Sequence, residues 1–513
     1  MSSTFAGLSI ANRGLSSSQA GLSVTTNNIS NVNTSGYSRQ TATQLSVGPA
    51  AVYSSKSTVG AGSEVTSVDR IRSFRLDQKY WQENSALSTW ETKAGYLEEL
   101  QEVLGTSSSD DVFNTTMDEF YDALETLSGD PASTSARTVV RETGRAVCEY
   151  LNNAASQLSE LRQDINTEIN TAVDQINSYA RQIADLNHRI GVATANGAAA
   201  NELCDERDLL IDKLSALTDV TVTKTKTGTA ADGTEITAYT VAVNGIALVS
   251  GDNARQLECY TVSGGTAYGM YGIRWAGSGD AFAAGKNGSL KAYLDLRDGS
   301  GTNGEYKGIV YFAAQLDTFA GTFAKAFNEG IYKDGSSYYG GHAAGYGADA
   351  TTGIRFFSCD GLSSADLMAS GATTDAVYAN ITAASISLSA DIEQDLAAIA
   401  ASSAGGEEGN NENSDDLLSI CQDARMFASG SPEDYYNSII ATLGTTAAYA
   451  SRQSDVQANL VAYLDDSRSS VAGVSTNEET AYMTKYQQAY EASAAMVTTW
   501  NEIYQTTINM VSD

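Results

Sequence analysis

Both ends of this chain repeat every seven residues, and that period constrains everything between them. Near the N-terminus Leu8, Leu15, Leu22 and Ile29 stand seven apart, each followed at the third position by a small residue, Ala11, Ser18 or Thr25. Near the C-terminus Met483, Tyr490, Val497, Tyr504 and Val511 repeat the spacing, with Tyr486, Ser493, Trp500 and Thr507 at the second seam position. A heptad keeps one helix face turned to a partner helix. The N-terminal repeat is poor in burial. Arg13 is its one charge, its other intervening residues are mostly polar, and Gly7, Gly14 and Gly21 each cost about 1 kcal/mol of helix propensity. Such a helix is marginal alone. The two ends most simply pair with each other as coiled-coil helices; the plainer alternative lays each on its own domain.

With 513 residues the chain is too long for one core, so two to four domains are expected. Sixty-two acidic against 31 basic residues give a net charge of −31. A surface of that sign repels phosphate backbones and anionic membranes, which argues against nucleic acid or membrane as partner. His188 and His342 are too few for a histidine metal centre within one chain. Cys148, Cys204, Cys259, Cys359 and Cys421 are scattered, without a CxxC pair, and read as buried free thiols. No cofactor or metal is expected. The first twenty residues lack a basic leader, an apolar core and a cleavage site, and no apolar run is long enough to span a membrane. On these facts alone the chain reads as cytoplasmic, provided that export always requires a cleavable leader.

Between the ends the order of elements is nearly palindromic. The segment "SRQTATQLSV" alternates as an extended strand, Pro49 ends it, and Gly60–Ser73 is a second extended stretch. Helices are predicted from Phe74 to Gly105 and over about Val112–Leu127. Asp130-Pro131 then marks a helix start, and Leu158, Leu161, Ile165, Ile169, Val173, Ile176, Ala180 and Ile183 carry one stripe to about Ile190. From Thr221 the composition turns β-branched, with Asp232-Gly233 and Asn244-Gly245 as hairpin turns. Helix returns across Gly288–Gly330; Ser402–Asp416 reads as a polar linker, and Ser467–Asn477 interrupts the last helical stretch. The fold class is therefore mainly α. It is an elongated multidomain rod with its N- and C-terminal coiled-coil helices paired, a long helical-bundle body and an inserted β-rich distal domain. Residues 1–50 and 470–513 form the terminal domain; 51–217, 288–330 and 412–469 form the body; 218–287 and 331–411 form the inserted outer domain.

Motifs for chemistry are wanting. In "GDAFAAGK" (Gly279–Lys286) five residues separate the glycines where a phosphate loop needs four, and Asn287 replaces its hydroxyl. In the stretch from Asp298, Asn303 and Ile309 occupy the positions where a calcium loop needs Gly and a bidentate acid. The "CDERD" cluster, Cys204–Asp208, reads as a solvated, salt-bridged helix face. No GxSxG or HExxH motif occurs. No catalytic residue is assigned, and the competing functional reading is a hydrolase carried in the central insertion.

The stretch "NNISNVNTSGYSRQ", residues 27–40, resembles the N-terminal signature of bacterial flagellar axial proteins, the rod, hook and hook-associated subunits. Its matching positions are Asn28, Asn31, Asn33, Gly36, Tyr37, Ser38, Arg39 and Gln40. The tail from Val471 to Ala494, "VAGVSTNEETAYMTKYQQAYEASA", is similar to that family's C-terminal wording. Asn201–Leu217, Gly288–Asp298, Leu316–Gly330 and Glu433–Gly444 fall in the order found in its hook-associated branch. One position departs: Ser35 stands where the family usually has Pro, which leaves Gly36 to make the turn.

The resemblance implies a non-enzymatic structural subunit at the junction of hook and filament. Its expected partners are the hook protein, a second junction protein (hook-associated protein 3), copies of itself in a helical ring, and a cytoplasmic export chaperone at the C-terminal helix. It implies an extracellular place in the flagellum, reached through the flagellar type III apparatus without a cleavable leader. Leu8, Leu15, Leu22 and Ile29, with Met483, Tyr486, Tyr490, Val497, Trp500 and Tyr504, are the expected assembly seam.

Overall fold

The computed structural model describes residues 6–54, 57–105, 112–230, 235–265, 267–332, 338–371 and 373–512. The chain opens with α1 (Ala6–Ser30) and four strands, β1 (Gln40–Ser46), β2 (Pro49–Ser54), β3 (Ser57–Gly60) and β4 (Ser63–Arg70). Helices α2 (Phe74–Val103), α3 (Val112–Gly129), α4 (Thr134–Ala195) and α5 (Asn201–Leu217) follow. Next come β5 (Val220–Thr229), β6 (Glu235–Val243), β7 (Ile246–Ser250), β8 (Asn253–Ala254), β9 (Leu257–Thr261) and β10 (Tyr271–Trp275), then α6 (Ser289–Asp298) and α7 (Ile309–Glu329). An irregular stretch holds β11 (Gly330–Tyr332), β12 (Tyr338–Gly340), β13 (Phe357–Cys359), α8 (Ser364–Ala369), α9 (Thr374–Tyr378), β14 (Ile386–Leu388) and α10 (Ala390–Gln394). The chain closes on α11 (Glu412–Cys421), α12 (Pro432–Ala472) and α13 (Thr476–Ser512).

The fold is mainly helical and elongated, and α4 is its spine. Its 62 residues span roughly 90 Å at 1.5 Å per residue. The whole predicted stripe from Leu158 to Ile183 is buried. The helix starts at Thr134, three residues later than the Asp130-Pro131 pair suggests. Ser133 is the cap, accepting from the Ala136 N–H at 3.3 Å. The Pro131 carbonyl is instead taken by the Arg137 guanidinium at 2.8 and 3.1 Å.

α12 runs antiparallel along α2. Trp90 meets Tyr449 edge-on at 5.5 Å, Gln457 donates to Glu83 at 2.6 Å, and Arg468 pairs with Asp77 at 3.0 Å. Ser431 and Asp434 form a capping box with Pro432 at the first position, the arrangement that fixes a helix start most firmly. The only break before α13 is 473–475, much shorter than the predicted 467–477.

Strands β5 to β8 form a four-stranded antiparallel meander, and β9 pairs with β10. The Asn244-Gly245 turn is as read from sequence, with φ of 47° and 79°, both positive as a type I′ hairpin requires. The Asp232-Gly233 turn lies outside the described residues. The meander sits on the C-terminal half of α4, where Asn187 donates to Tyr239 and Gly251 carbonyls and Asn177 clasps Leu257 by both its N–H and C=O. The described residues of 331–411 pack on the N-terminal half instead. There Asn152 donates to the Ala383 and Ile386 carbonyls and Arg137 to Ile399. The two segments grouped from sequence as one outer domain thus lie along opposite halves of the spine. The second is held by an aromatic core, in which Phe319, Phe323 and Phe327 of α7 meet Phe113, Phe120, Phe356 and Phe357. At Gly144 of α4 a Cβ would stand 2.6 Å from the Phe356 ring, so the missing side chain lets that core close.

Candidate functional site: the terminal helix pair and its joint

α1 and α13 pair antiparallel, and their contacts repeat every seven residues. A Cβ on Gly7 would overlap the Trp500 ring; on Gly14 it would lie 2.9 Å from Ser493 Oγ, and on Gly21 2.6 Å from the Tyr486 ring. One heptad further on, Asn28 donates to Glu479 at 3.0 Å. The small column of α1 is therefore a groove that receives the large column of α13. Ala11, Ser18 and Thr25 are buried beside it. Leu8, Leu15, Leu22 and Ile29 flank the groove and are only half-buried. The glycines that weaken α1 as a lone helix are what let an aromatic helix approach it.

On α13, Met483, Tyr486, Val497, Trp500 and Tyr504 are half-buried, and Tyr490 stays 36% exposed. The side chain of Val511 lies outside the described residues. The outer faces of α13 carry Tyr482, Met496 (51% exposed), Ile503, Ile508 and Met510 (75% exposed). α1 is covered elsewhere by the β1–β4 ribbon, with Ser17 Oγ donating to the Ser63 carbonyl at 3.0 Å.

The signature residues build the joint between this pair and the body. Asn28 is fully buried and uses every valence of its amide. Its Nδ2 donates to the Gln40 carbonyl (2.9 Å) and Glu479, and its Oδ1 accepts from the Gln40 N–H (2.9 Å) and the Tyr37 hydroxyl (2.8 Å). Arg39 binds Glu479 at 2.7 Å and Glu478 at 3.1 Å, while its N–H donates to the Ala472 carbonyl at 2.8 Å. Asn31 donates to the Asn27 carbonyl at 3.0 Å, tying the last turn of the helix. Gly36 turns the chain with φ of 80°, and Asn33 and Ser35 are exposed. Gln40 donates to Glu202 at 2.9 Å. Burial, with Glu202, Asp205 and Glu479 adding to it, pushes the Tyr37 hydroxyl up to about 12, so it remains a donor to Asn28.

Ser38 carries the joint into the body. Its N–H and hydroxyl both donate to Asp205 of α5, at 2.9 and 2.7 Å. Here the sequence-based reading of "CDERD" is corrected. Asp205, Arg207 and Asp208 are buried, not solvated, because Arg70 and Arg72 fold onto them. Arg70 pairs with Asp205 (2.8 Å) and Asp208 (2.7 Å); Arg72 pairs with Asp77 (2.9 Å); Arg468 of α12 bridges Asp77 and Asp212 (2.9 Å). Four guanidinium groups thus face four carboxylates in one cluster. Burial alone would raise the Asp208 carboxyl, but Arg70, Arg207 and Arg72 more than reverse it and hold it below the usual range. For Asp212 burial outweighs Arg468, and its carboxyl is raised. Beside the cluster a cleft of about 420 Å³ opens between the signature loop, α2, α5 and the end of α12.

Nothing in this arrangement resembles a nucleophile. Burial raises the Cys204 thiol, the opposite of activation, and the His188 ring lies 3.8 Å from Asp252. Among the described residues there is no cluster of metal-ligating side chains and no helix long and apolar enough to cross a membrane.

The paired terminal unit, the polar joint and the long helical spine fit the flagellar axial family that the sequence resembles. Comparison with known proteins agrees over the whole length. Residues 8–37 match the model for "Flagella basal body rod protein", 467–510 that for "Flagellar basal body rod FlgEFG protein C-terminal", and 97–357, just over half of the chain, that for "Flagellar hook-associated protein FlgK helical domain". The chain is 32% identical to flagellar hook-associated protein 1 of Bacillus subtilis, covering 99% of both. It is 25% identical to that of Escherichia coli, covering 97% of this chain and 98% of the other. The flagellar hook junction protein FlgK from Burkholderia pseudomallei shares the fold, with a TM-score of 0.57 at 17% identity over 77% of this chain and 100% of its own. The chain belongs to the flagellar hook-associated protein 1 family.

Proposed function

We propose that this chain is a structural subunit of the hook–filament junction, in which copies pack side by side through their terminal helix pairs. The observation that carries the reading is the one-sided burial of α13, which packs on α1 along a single column and leaves Met496, Ile503 and Met510 in solvent. Apolar side chains gain their roughly 1.5–3 kcal/mol each only when covered, and neighbouring copies would cover them. A subunit that presents different faces to successive neighbours extends an assembly rather than closing a dimer. The hook protein below and hook-associated protein 3 above are its proposed axial partners. A cytoplasmic chaperone on α13 would mask the same surface before assembly. The thin burial of the terminal pair also suits passage unfolded through the flagellar type III route, which would place the protein outside the cell.

Deleting the gene in the bacterium that makes it, and examining the cells by electron microscopy, tests this reading. Hooks without filaments, with flagellin released into the medium, are the expected result. Filaments of normal number and length would overturn it.

A further inference from the structure

A chain of net charge −31 repels its own copies at long range, and a place where the sign reverses would offset that repulsion in an ordered contact between them. One cleft of about 730 Å³ has that character. Arg75 and Lys79, from the first turns of α2, and Lys286, from the loop before α6, line it together with Gln78, Gln82 and Asn287. Asp219 is the one carboxylate in its lining. Arg75, Lys79 and Lys286 are exposed, and none of them belongs to an ion pair among the described residues, although most described Arg and Lys side chains sit against a carboxylate.

The opposite end of α2 is the converse. Glu98, Glu99 and Glu102 lie exposed in its last turns, with Asp164 of α4 near Glu99 and Glu168 of α4 near Tyr96. Burial, then Glu102 and Asp164, raise the Glu99 carboxyl; burial, then Tyr293, Glu168, Glu99 and Asp164, raise the Tyr96 hydroxyl. None of these five acids has a cationic partner among the described residues. The cleft and the acidic face are about 23 residues apart on one helix, roughly 35 Å at 1.5 Å per residue. They cannot meet within one subunit.

We infer that the Arg75–Lys79–Lys286 cleft of one copy receives the Glu98–Glu99–Glu102 face of α2 in the next. This rests on the proposed junction role and names the contact by which copies recognise each other. Two different patches on one helix make a head-to-tail interface. The contact stabilises a face that is self-repelling in the free subunit, and it confers specificity and approach rate more than raw affinity.

Charge exchange within one chain tests it. Cells would carry Arg75→Glu with Lys79→Glu, Glu99→Lys with Glu102→Lys, or all four substitutions, and filaments per cell would be counted. Each double reversal should lower filament number about tenfold or more, since like charges then face each other. The fourfold exchange restores opposite signs across the contact and should return most of the filaments. Thermal melting of each purified monomer, followed by circular dichroism, shows that the variants fold. If the folded fourfold variant is no better than the doubles, or if neither double reversal changes filament number, the inference is overturned. The deletion strain separates that outcome from failure of the junction role, because losing filaments on deletion while tolerating both reversals leaves the role standing without this contact.

Discussion

Asn28 and Glu479 lie 451 positions apart in sequence and share a buried hydrogen bond of 3.0 Å. That bond is where the terminal pair, the signature loop and the C-terminal helix meet, because the same Asn28 amide also closes on Tyr37 and on both backbone groups of Gln40. Replacing it by Asp removes two donors and places a second carboxylate beside Glu479. Asn28→Asp should cost about 1–3 kcal/mol locally, the penalty for unmet buried polar groups. Hydrogen exchange at β1 and the start of α13 should accelerate, with α4 unchanged.

The glycine column makes a graded prediction. Gly21→Ala pushes a methyl group into the Tyr486 ring, whereas at Gly14 the nearest atom is the rotatable Ser493 hydroxyl. Alanine also adds about 1 kcal/mol of helix propensity at either site. Gly14→Ala should therefore be neutral or slightly stabilising, while Gly21→Ala should loosen α13. The rate at which protease removes the C-terminal 40 or so residues reads the difference.

Asp208 faces Arg70, Arg72 and Arg207 in a buried site. Asp208→Asn leaves three guanidinium groups short of one counter-charge. Breaking a buried pair from one side costs about 3–5 kcal/mol, so the variant should melt well below the parent, and its loss should shrink least when salt is added, since burial shields the site from screening.

The buried His342 gives a pH dependence with a definite sign. Its Nε2 accepts from the Ala400 N–H at 2.9 Å and its Nδ1 lies 2.8 Å from the Ile354 carbonyl, an arrangement only the neutral ring satisfies. Burial, with Arg137 assisting, holds its pKa at about 4 against 6.5. The unfolded chain therefore takes up a proton that the folded chain refuses between these values. The contribution of His342 to stability is flat above pH 6.5 and falls toward pH 4, by up to roughly 3 kcal/mol. Urea midpoints measured from pH 7.5 to 4.5 should drop more steeply for the parent than for His342→Asn.

Local signals carried much of this structure. The apolar periodicity placed α2 and α3 to within two residues, and Asn244-Gly245 placed a hairpin. The phase of the terminal seam was not legible from α1 alone. Leu8 and Gly7 repeat with the same period, and only the size of the partner's side chains decides which column faces it. The buried charges of α5 were missed because acid and base alternating on one helix normally face water. A signal did exist: Arg70 and Arg72 are two apart at the end of a strand, and so share a face. The core under residues 331–411 was hidden for another reason, since Phe356 and Phe357 meet aromatic side chains of α3, far away in sequence, as well as those of α7.

α1 and α13 pair in one register, with Gly14 opposite Ser493. A Cβ on residue 14 would stand 3.7 Å from that of Ser493, within the 3.5–4.5 Å that a disulfide requires. Gly14→Cys with Ser493→Cys, mildly oxidised and digested for mass spectrometry, should give a crosslink within one chain joining the peptides that contain these positions. Leu15→Cys with Ser493→Cys should give far less. Equal crosslinking by both pairs, or links only between chains, would contradict the register and with it the account of the joint.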